Sequence, residues 1–99
     1  MTVKKEKTDD TLRVEIEGSV DAVTSPELER ELLPELSDVN SIIFNMKDMD
    51  YISSAGLRVL LKIYQIISVK KSVIVLENVR DEFKYIFMDS GFAKFMEIR

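Results

Sequence analysis

Two adjacent serines, Ser53 and Ser54, followed by the small residues Ala55 and Gly56, are the residues of this chain best placed to do chemistry. Hydroxyls where an apolar run gives way to a helical repeat can cap the helix, act as nucleophiles or accept a phosphate. A nucleophile needs a base, and the chain has no histidine and no cysteine. That removes imidazole-activated nucleophiles, disulfides and zinc sites of the usual ligands. Only a carboxylate or a lysine such as Lys47 could serve, and neither serine opens a Ser-x-x-Lys spacing. An enzyme with Ser54 as nucleophile is therefore the weakest of the readings, and no catalytic residue is assigned.

Around the serines the chain must supply a strand, a turn and a helix. Ile42-Ile43-Phe44-Asn45-Met46 is a compact apolar run broken only by Asn45, and Leu57, Leu60, Leu61 and Tyr64 recur at the spacing of one helical face. A strand over Ser41–Met46, apolar on consecutive positions, predicts cover on both faces. Lys47-Asp48-Met49-Asp50 then leads to the turn, and a helix runs from about Ser54 to Ser68. The helix opens with hydroxyls and unpaired backbone N–H groups at its mouth. Gly56 in its first turn costs up to about 1 kcal/mol relative to alanine, which calls for a reason such as a close helix–strand contact. Asn45 is expected to pin a neighbouring loop by hydrogen bonds.

Upstream, Val3–Lys7 reads as an edge strand and Thr8-Asp9-Asp10 as a turn. Thr11–Glu17 alternates, with Leu12, Val14 and Ile16 on one face and Arg13, Glu15 and Glu17 on the other. Gly18 is expected to end that strand and Ser19–Thr24 to form a loop. Thr24 or Ser25 would cap the next helix, with Pro26 and Glu27 in its first turn. Leu28, Leu32, Leu33 and Leu36 form its buried stripe, Glu27, Glu29, Arg30, Glu31 and Glu35 face water, and Pro34 tightens the last turn. Downstream, Lys70-Lys71 reads as a solvated turn and Ser72–Leu76 as a strand buried on both faces. Asn78 is expected to cap a helix carrying Val79, Phe83, Ile86 and Phe87, with Asp81 and Glu82 at its start and Ser90-Gly91 at its stop. Phe92 and Phe95 flank a short segment before a closing strand at Met96-Glu97-Ile98. Met46, Met49, Met88 and Met96 are expected in the core or at its rim. The order ββαβαβα(β) predicts an α/β domain over 1–99, a mixed sheet of about four to five strands with helices packed on it.

Composition sets the class. The chain is 99 residues long, 45% hydrophobic and 32% charged, which suits a globular domain with one core. Its formal charge of −4 lacks the electrostatic footprint of a nucleic-acid binder. No apolar run approaches the roughly 20 residues needed to cross a bilayer. Met1–Lys7 has lysines but no apolar segment after them, unlike a secretory signal, so a cytoplasmic location is expected. There is no glycine-rich phosphate loop, and no metal or other cofactor is expected.

Three stretches together resemble a known family: Gly18-x-x-Asp21-x-x-Thr24, Ile42–Met46, and Tyr51-Ile52-Ser53-Ser54-Ala55-Gly56-Leu57-Arg58-Val59-Leu60. They look like the bacterial anti-sigma factor antagonists, the stand-alone members of the STAS domain family, and Phe87–Phe92 is also similar. The resemblance runs end to end. It implies a domain that binds an anti-sigma factor that is also a serine kinase, releasing a sigma factor until the kinase phosphorylates a serine at the start of this helix. It also implies a phosphatase of the PP2C type that would restore binding. Aligned on Gly56-Leu57, the family's Asp-Ser-(Ser/Thr)-Gly-Leu falls on Ser53–Leu57, making Ser54 the acceptor by resemblance. Ser53 stands where the best-known members carry Asp and is the rival acceptor. The same resemblance places Asp21, Thr24, Asn45, Ser53, Ser54, Ala55, Gly56, Leu57 and Arg58 on the partner-binding surface. A small acidic domain of this kind is expected to be monomeric when free, with no direct contact to nucleic acid or membrane. The alternative is an unphosphorylated STAS scaffold in a stress-signalling or transport assembly.

The switch is physically sound. A phosphate adds about −1.5 to −2 charges and three acceptor oxygens, and a helix N-terminus tolerates an anion. A partner packed against Ala55 and Gly56 would not accept that desolvated charge.

Overall fold

A computed structural model describes residues 1–70 and 72–99. Lys71 lies outside them, and with it the turn assigned to the Lys70-Lys71 pair. β1 (Thr2–Thr8) and β2 (Thr11–Val20) form an antiparallel hairpin whose turn places Asp9 at φ 56°. The alternation in β2 does what its sequence asks, burying Leu12, Val14 and Ile16 and exposing Arg13 and Glu15. The strand does not end at Gly18. That residue sits at φ 90°, a conformation glycine adopts without steric cost, and a register shift between Gly18 and Ser19 carries the strand on to Val20. The expected loop thereby shrinks to its second half.

Helix α1 (Ser25–Leu32) buries Leu28 and Leu32, then tightens into a 3-10 turn over Leu33–Asp38 with Pro34 near its start. The tightening swings the stripe, so Leu36 is buried while Leu33 is only half-buried. Glu29 and Glu35 are half-buried too, held by Lys62 at 2.9 Å and Lys5 at 3.7 Å.

β3 (Ser41–Asn45) pairs parallel with Thr11–Glu15 of β2. It is covered fully on one face only, because Ile42 and Phe44 are buried and Ile43 and Asn45 half-buried. After a short detour the chain returns as β4 (Met49–Ile52), which pairs with Gly18–Val20. β3 and β4 thus lie end to end along one edge of β2. This strand makes the sheet six-stranded, one more than the upper expectation. Helix α2 (Ser54–Ile67) leads to β5 (Val73–Glu77), parallel to β3. Ile74, Val75 and Leu76 are buried there and Val73 is exposed.

Helix α3 (Asp81–Asp89) ends at Ser90-Gly91, and a 3-10 turn over Phe92–Lys94 feeds β6 (Glu97–Ile98), parallel to β5. Asn78 does not cap α3. Its backbone is left-handed at φ 56°, its amide bonds Asn45, and Arg80 occupies the capping position with no side-chain cap. Register aligns Leu12, Ile42 and Ile74, and then Val14, Phe44 and Leu76, across one face of the sheet. Leu28, Leu60, Ile63, Phe83 and Phe87 from the three helices complete a single core with them. Burial of each such side chain contributes roughly 1.5–3 kcal/mol. Met46, Met49 and Met96 lie in that core, whereas Met88 is exposed. Among the described residues no helix is long and apolar enough to cross a membrane.

Candidate functional site

The two serines take different positions. Ser53 is extended, φ −93° and ψ 174°, and its Oγ accepts from the Gly56 N–H at 3.3 Å, capping α2. It is half-buried. Ser54 is the first helical residue and is exposed. Among the described residues the Ser54 hydroxyl makes no hydrogen bond. Ala55 and Leu57 are half-buried and Arg58 is exposed.

Gly56 explains why the helix mouth sits where it does. A Cβ at this position would lie 2.8 Å from both Ile52 Cγ1 and Val20 Cγ1, and 3.2 Å from the Val20 carbonyl oxygen. Two of those neighbours are β-branched and stiff, and the third is backbone. The first turn of α2 is therefore pressed onto the ends of β2 and β4, as the close-contact reading of Gly56 expects. The inward face of α2 follows from this residue: Gly56, Val59, Leu60, Ile63 and Ile67 are buried. Leu57, Leu61 and Tyr64, read as part of the buried face, lie on its flank and are only half-buried.

The Asp21 loop leaves the sheet beside that turn. Val20 pairs with Ile52, and the Ser53 N–H donates to the Val20 carbonyl at 2.8 Å. Asp21 Oδ1 accepts from the N–H groups of Val23 and Thr24, both at 2.9 Å. Thr24 does not use its side chain as a helix cap. Its Oγ1 donates to the Ser19 carbonyl at 2.7 Å and accepts from the Asp21 N–H at 2.9 Å. Ser25, the other expected cap, is buried inside α1. These bonds, Thr24 first and then Val23, hold the Asp21 carboxyl below its ordinary value, because hydrogen bonds from N–H groups favour the charged form. At the tip of this fastened loop Val23 is 77% exposed, and on β4 Tyr51 is 51% exposed. Tyr51 enters the sequence reading only as the first residue of the STAS-like stretch, and Val23 carries no signal there, since nothing separates an exposed valine from a buried one.

Asn45 belongs to a neighbouring network. Its Oδ1 accepts from the Lys47 N–H at 3.0 Å and from Asn78 Nδ2 at 3.1 Å. Arg80 Nε donates to the Lys47 carbonyl at 3.2 Å, and its guanidinium lies 3.8 Å from Asp50. Asn45 thus pins the connection between β3 and β4, as expected of a polar residue near the end of an apolar strand. Among the described residues no hydrogen bond joins Asn45 or Lys47 to residues 53–58. Arg80 also pairs with Glu82 at 3.7 Å, but its ties to Lys47 and Asp50 went unnoticed in the sequence because those residues are 30 or more positions away.

One electrostatic feature separates α2 from the other helices. α1 carries Glu27 in its first turn and α3 carries Asp81 and Glu82, whereas the first turn of α2 contains no acid. Its positive dipole end is met only by a serine hydroxyl.

Comparison with known proteins places this arrangement. Residues 2–99 match the family model of the STAS domain. The chain is 27% identical over 99 residues to BtrV of Bordetella bronchiseptica, a protein named as a candidate anti-sigma factor antagonist, covering 99% of this chain and 85% of that protein. Its fold is similar to that of TM1081 from Thermotoga maritima, likewise a candidate anti-sigma factor antagonist. There the TM-score is 0.88 at 16% identity, over 97% of this chain and 84% of the other. It is similar also to the phosphorylated form of the Bacillus cell fate determinant SpoIIAA, with a TM-score of 0.80 at 18% identity over 99% and 91% of the two chains.

Proposed function

Because this chain belongs to the STAS domain family, we propose that it is an anti-sigma factor antagonist whose binding surface is switched off by phosphate on Ser54. The observation that carries this reading is the division between the two serines. Ser53 is committed to the cap, and Ser54 presents an exposed hydroxyl on the first turn of a helix that has no acid of its own. The same arrangement favours Ser54 over Ser53 as acceptor, since Ser53 would have to give up its bond to Gly56. In this reading the partner is an anti-sigma factor with serine kinase activity. The γ-phosphoryl group of its ATP moves to Ser54 Oγ, the bond to ADP breaks, and the hydroxyl proton leaves to a base on the kinase. A phosphatase of the PP2C type reverses the modification.

The unmodified rim offers a partner Asp21, exposed Val23 and Thr24 on a fastened loop and Ser53, Ser54, Ala55, Leu57 and Arg58 on the helix, whereas Gly56, expected on that surface, is buried and faces the sheet instead. Asn45 reaches that surface only through the β3–β4 connection it pins. A phosphate placed against a dry partner surface carries an uncompensated charge into the interface, and binding fails. The fold can hold it, and SpoIIAA, which shares the fold, has a phosphorylated form.

The test is intact mass and site mapping after incubation with the organism's anti-sigma kinases and ATP, with binding measured for wild type and Ser54→Asp. One phosphate on Ser54 and lost binding by Ser54→Asp are expected. A phosphate on Ser53 would move the switch by one residue. A lasting complex with no phosphate would replace the switch by a constitutive scaffold.

A further inference from the structure

We infer that Arg58 is the built-in counter-ion of a phosphate on Ser54, so that modification both adds an anion to the rim and withdraws a cation from it. The inference rests on the phosphorylation reading above and says what the phosphate meets once attached. Ser54 and Arg58 stand at positions i and i+4 of the continuous helix α2. Such residues are neighbours on the helix surface, with Cβ atoms roughly 5–6 Å apart, and the anion N-terminal to the cation is the favoured order. Both side chains are exposed.

Arg58 is also uncommitted. The other basic side chain on the described part of this helix, Lys62, is held by Glu29 at 2.9 Å, and Arg80 is engaged with Lys47 and Asp50. Among the described residues Arg58 has no ion pair and no side-chain hydrogen bond. A guanidinium presents a planar fork of donors that matches two phosphate oxygens, and a charge-assisted pair of that kind is stronger than one between neutral groups. Asp21 follows Val20, the strand end that pairs with Ile52 just before the serines, and its charge would oppose the phosphate, which Arg58 offsets.

The consequence for binding is a change at two points. Unmodified, the rim shows a free guanidinium able to meet a carboxylate on the partner. Once phosphorylated, that guanidinium is folded onto Ser54, and the partner's carboxylate faces a dianion instead.

The experiment installs phosphoserine at position 54 during translation, so that no kinase is needed, in wild type, Arg58→Ala and Arg58→Lys. The second ionisation of the phosphate is followed by phosphorus NMR as a function of pH, with melting temperatures of the unmodified proteins as fold controls. Loss of Arg58 is expected to raise the titration midpoint by about 0.3 unit, the size an i,i+4 pair supplies, and lysine to restore part of the shift. In about 1 M salt, where the screening length is about 3 Å, the difference should collapse. Identical midpoints in wild type and Arg58→Ala at low salt would overturn the inference, as would a difference that lysine fails to narrow. The outcome is separate from that of the kinase assay. A shifted midpoint with no kinase modification would retain the pair and remove the switch, whereas modification with unmoved midpoints would do the reverse.

Discussion

At the mouth of α3, Asp81 and Glu82 occupy the first turn and Arg80 precedes it without a side-chain cap. At the mouth of α2, Ser53 supplies the cap, no acid follows, and Gly56 is pressed onto Val20 and Ile52. Both helices face the same problem of unpaired N–H groups and a partial positive charge. α3 answers it with charges permanently present, on a mouth tied to Lys47 and Asp50 through Arg80. α2 answers it with one hydroxyl, leaving its electrostatic capacity unused and a second hydroxyl in solvent. The comparison teaches that a phosphate on Ser54 would fill a place that a carboxylate fills elsewhere in the molecule, which is why the fold can carry the mark while a partner surface cannot.

The largest effect should come from Gly56. On helix propensity alone, Gly56→Ala would stabilise by up to about 1 kcal/mol. The 2.8 Å approaches to Ile52 and Val20 turn that into overpacking, which typically costs about 1–3 kcal/mol. Net destabilisation in urea unfolding is therefore expected, whereas Lys84→Ala on the exposed face of α3 should stay within about 0.5 kcal/mol of wild type. A stabilised Gly56→Ala would show that the mouth of α2 is not held by close packing, and the contrast with α3 would lose its mechanical half.

The division between legible and illegible follows the range of the interactions. Leu12, Val14 and Ile16 could be read because alternation within one strand is enough to assign their face. Ser53–Gly56 could be read because a cap and the N–H that donates to it lie three residues apart. β4 could not, because Met49-Asp50-Tyr51-Ile52 shows no alternation and is a strand only through the register shift at Gly18. Asn78 misled because its amide serves Asn45, 33 positions earlier, rather than the helix that follows it. The inward face of α2 lies further round than three leucines and a tyrosine suggest, because Gly56 is on it, where a Cβ would meet Ile52 and Val20 at 2.8 Å. The STAS resemblance survives these corrections, since it rests on the helix mouth and the Asp21 loop rather than on strand count.

A smaller effect tests the electrostatic half. Ser54→Asp puts a charge where α2 has none, and Asp81→Ser removes one where α3 has it. Helix-end charges are worth about 0.3–1 kcal/mol at low ionic strength. The two changes should therefore move stability in opposite directions, Ser54→Asp upward and Asp81→Ser downward, and both shifts should shrink as salt is added. If Ser54→Asp destabilises, the repulsion from Asp21 and Asp50 outweighs the dipole, and the vacancy at the mouth of α2 is not one that an anion can use.

The smallest effect concerns Asp21, which fastens the loop before α1 with a charged acceptor where α2 has only the Ser53 hydroxyl. Bonds from the Thr24 and Val23 N–H groups favour its ionised form and lower its pKa in the folded protein. A group with a lowered folded pKa contributes stability that is present above its unfolded value, about 3.9, and lost as pH falls through the folded value. The loop should therefore release its fastening at a lower pH than that at which a free aspartate protonates. The chemical shifts of the Val23 and Thr24 amides report this directly, and their common midpoint should lie below that of a free aspartate. In Ser54→Asp the added negative charge beside the loop should raise the midpoint, because a like charge opposes ionisation. An unmoved midpoint would mean that the loop and the helix mouth are electrically separate. A phosphate could then act on the partner only through its own bulk and charge, with no contribution from Asp21.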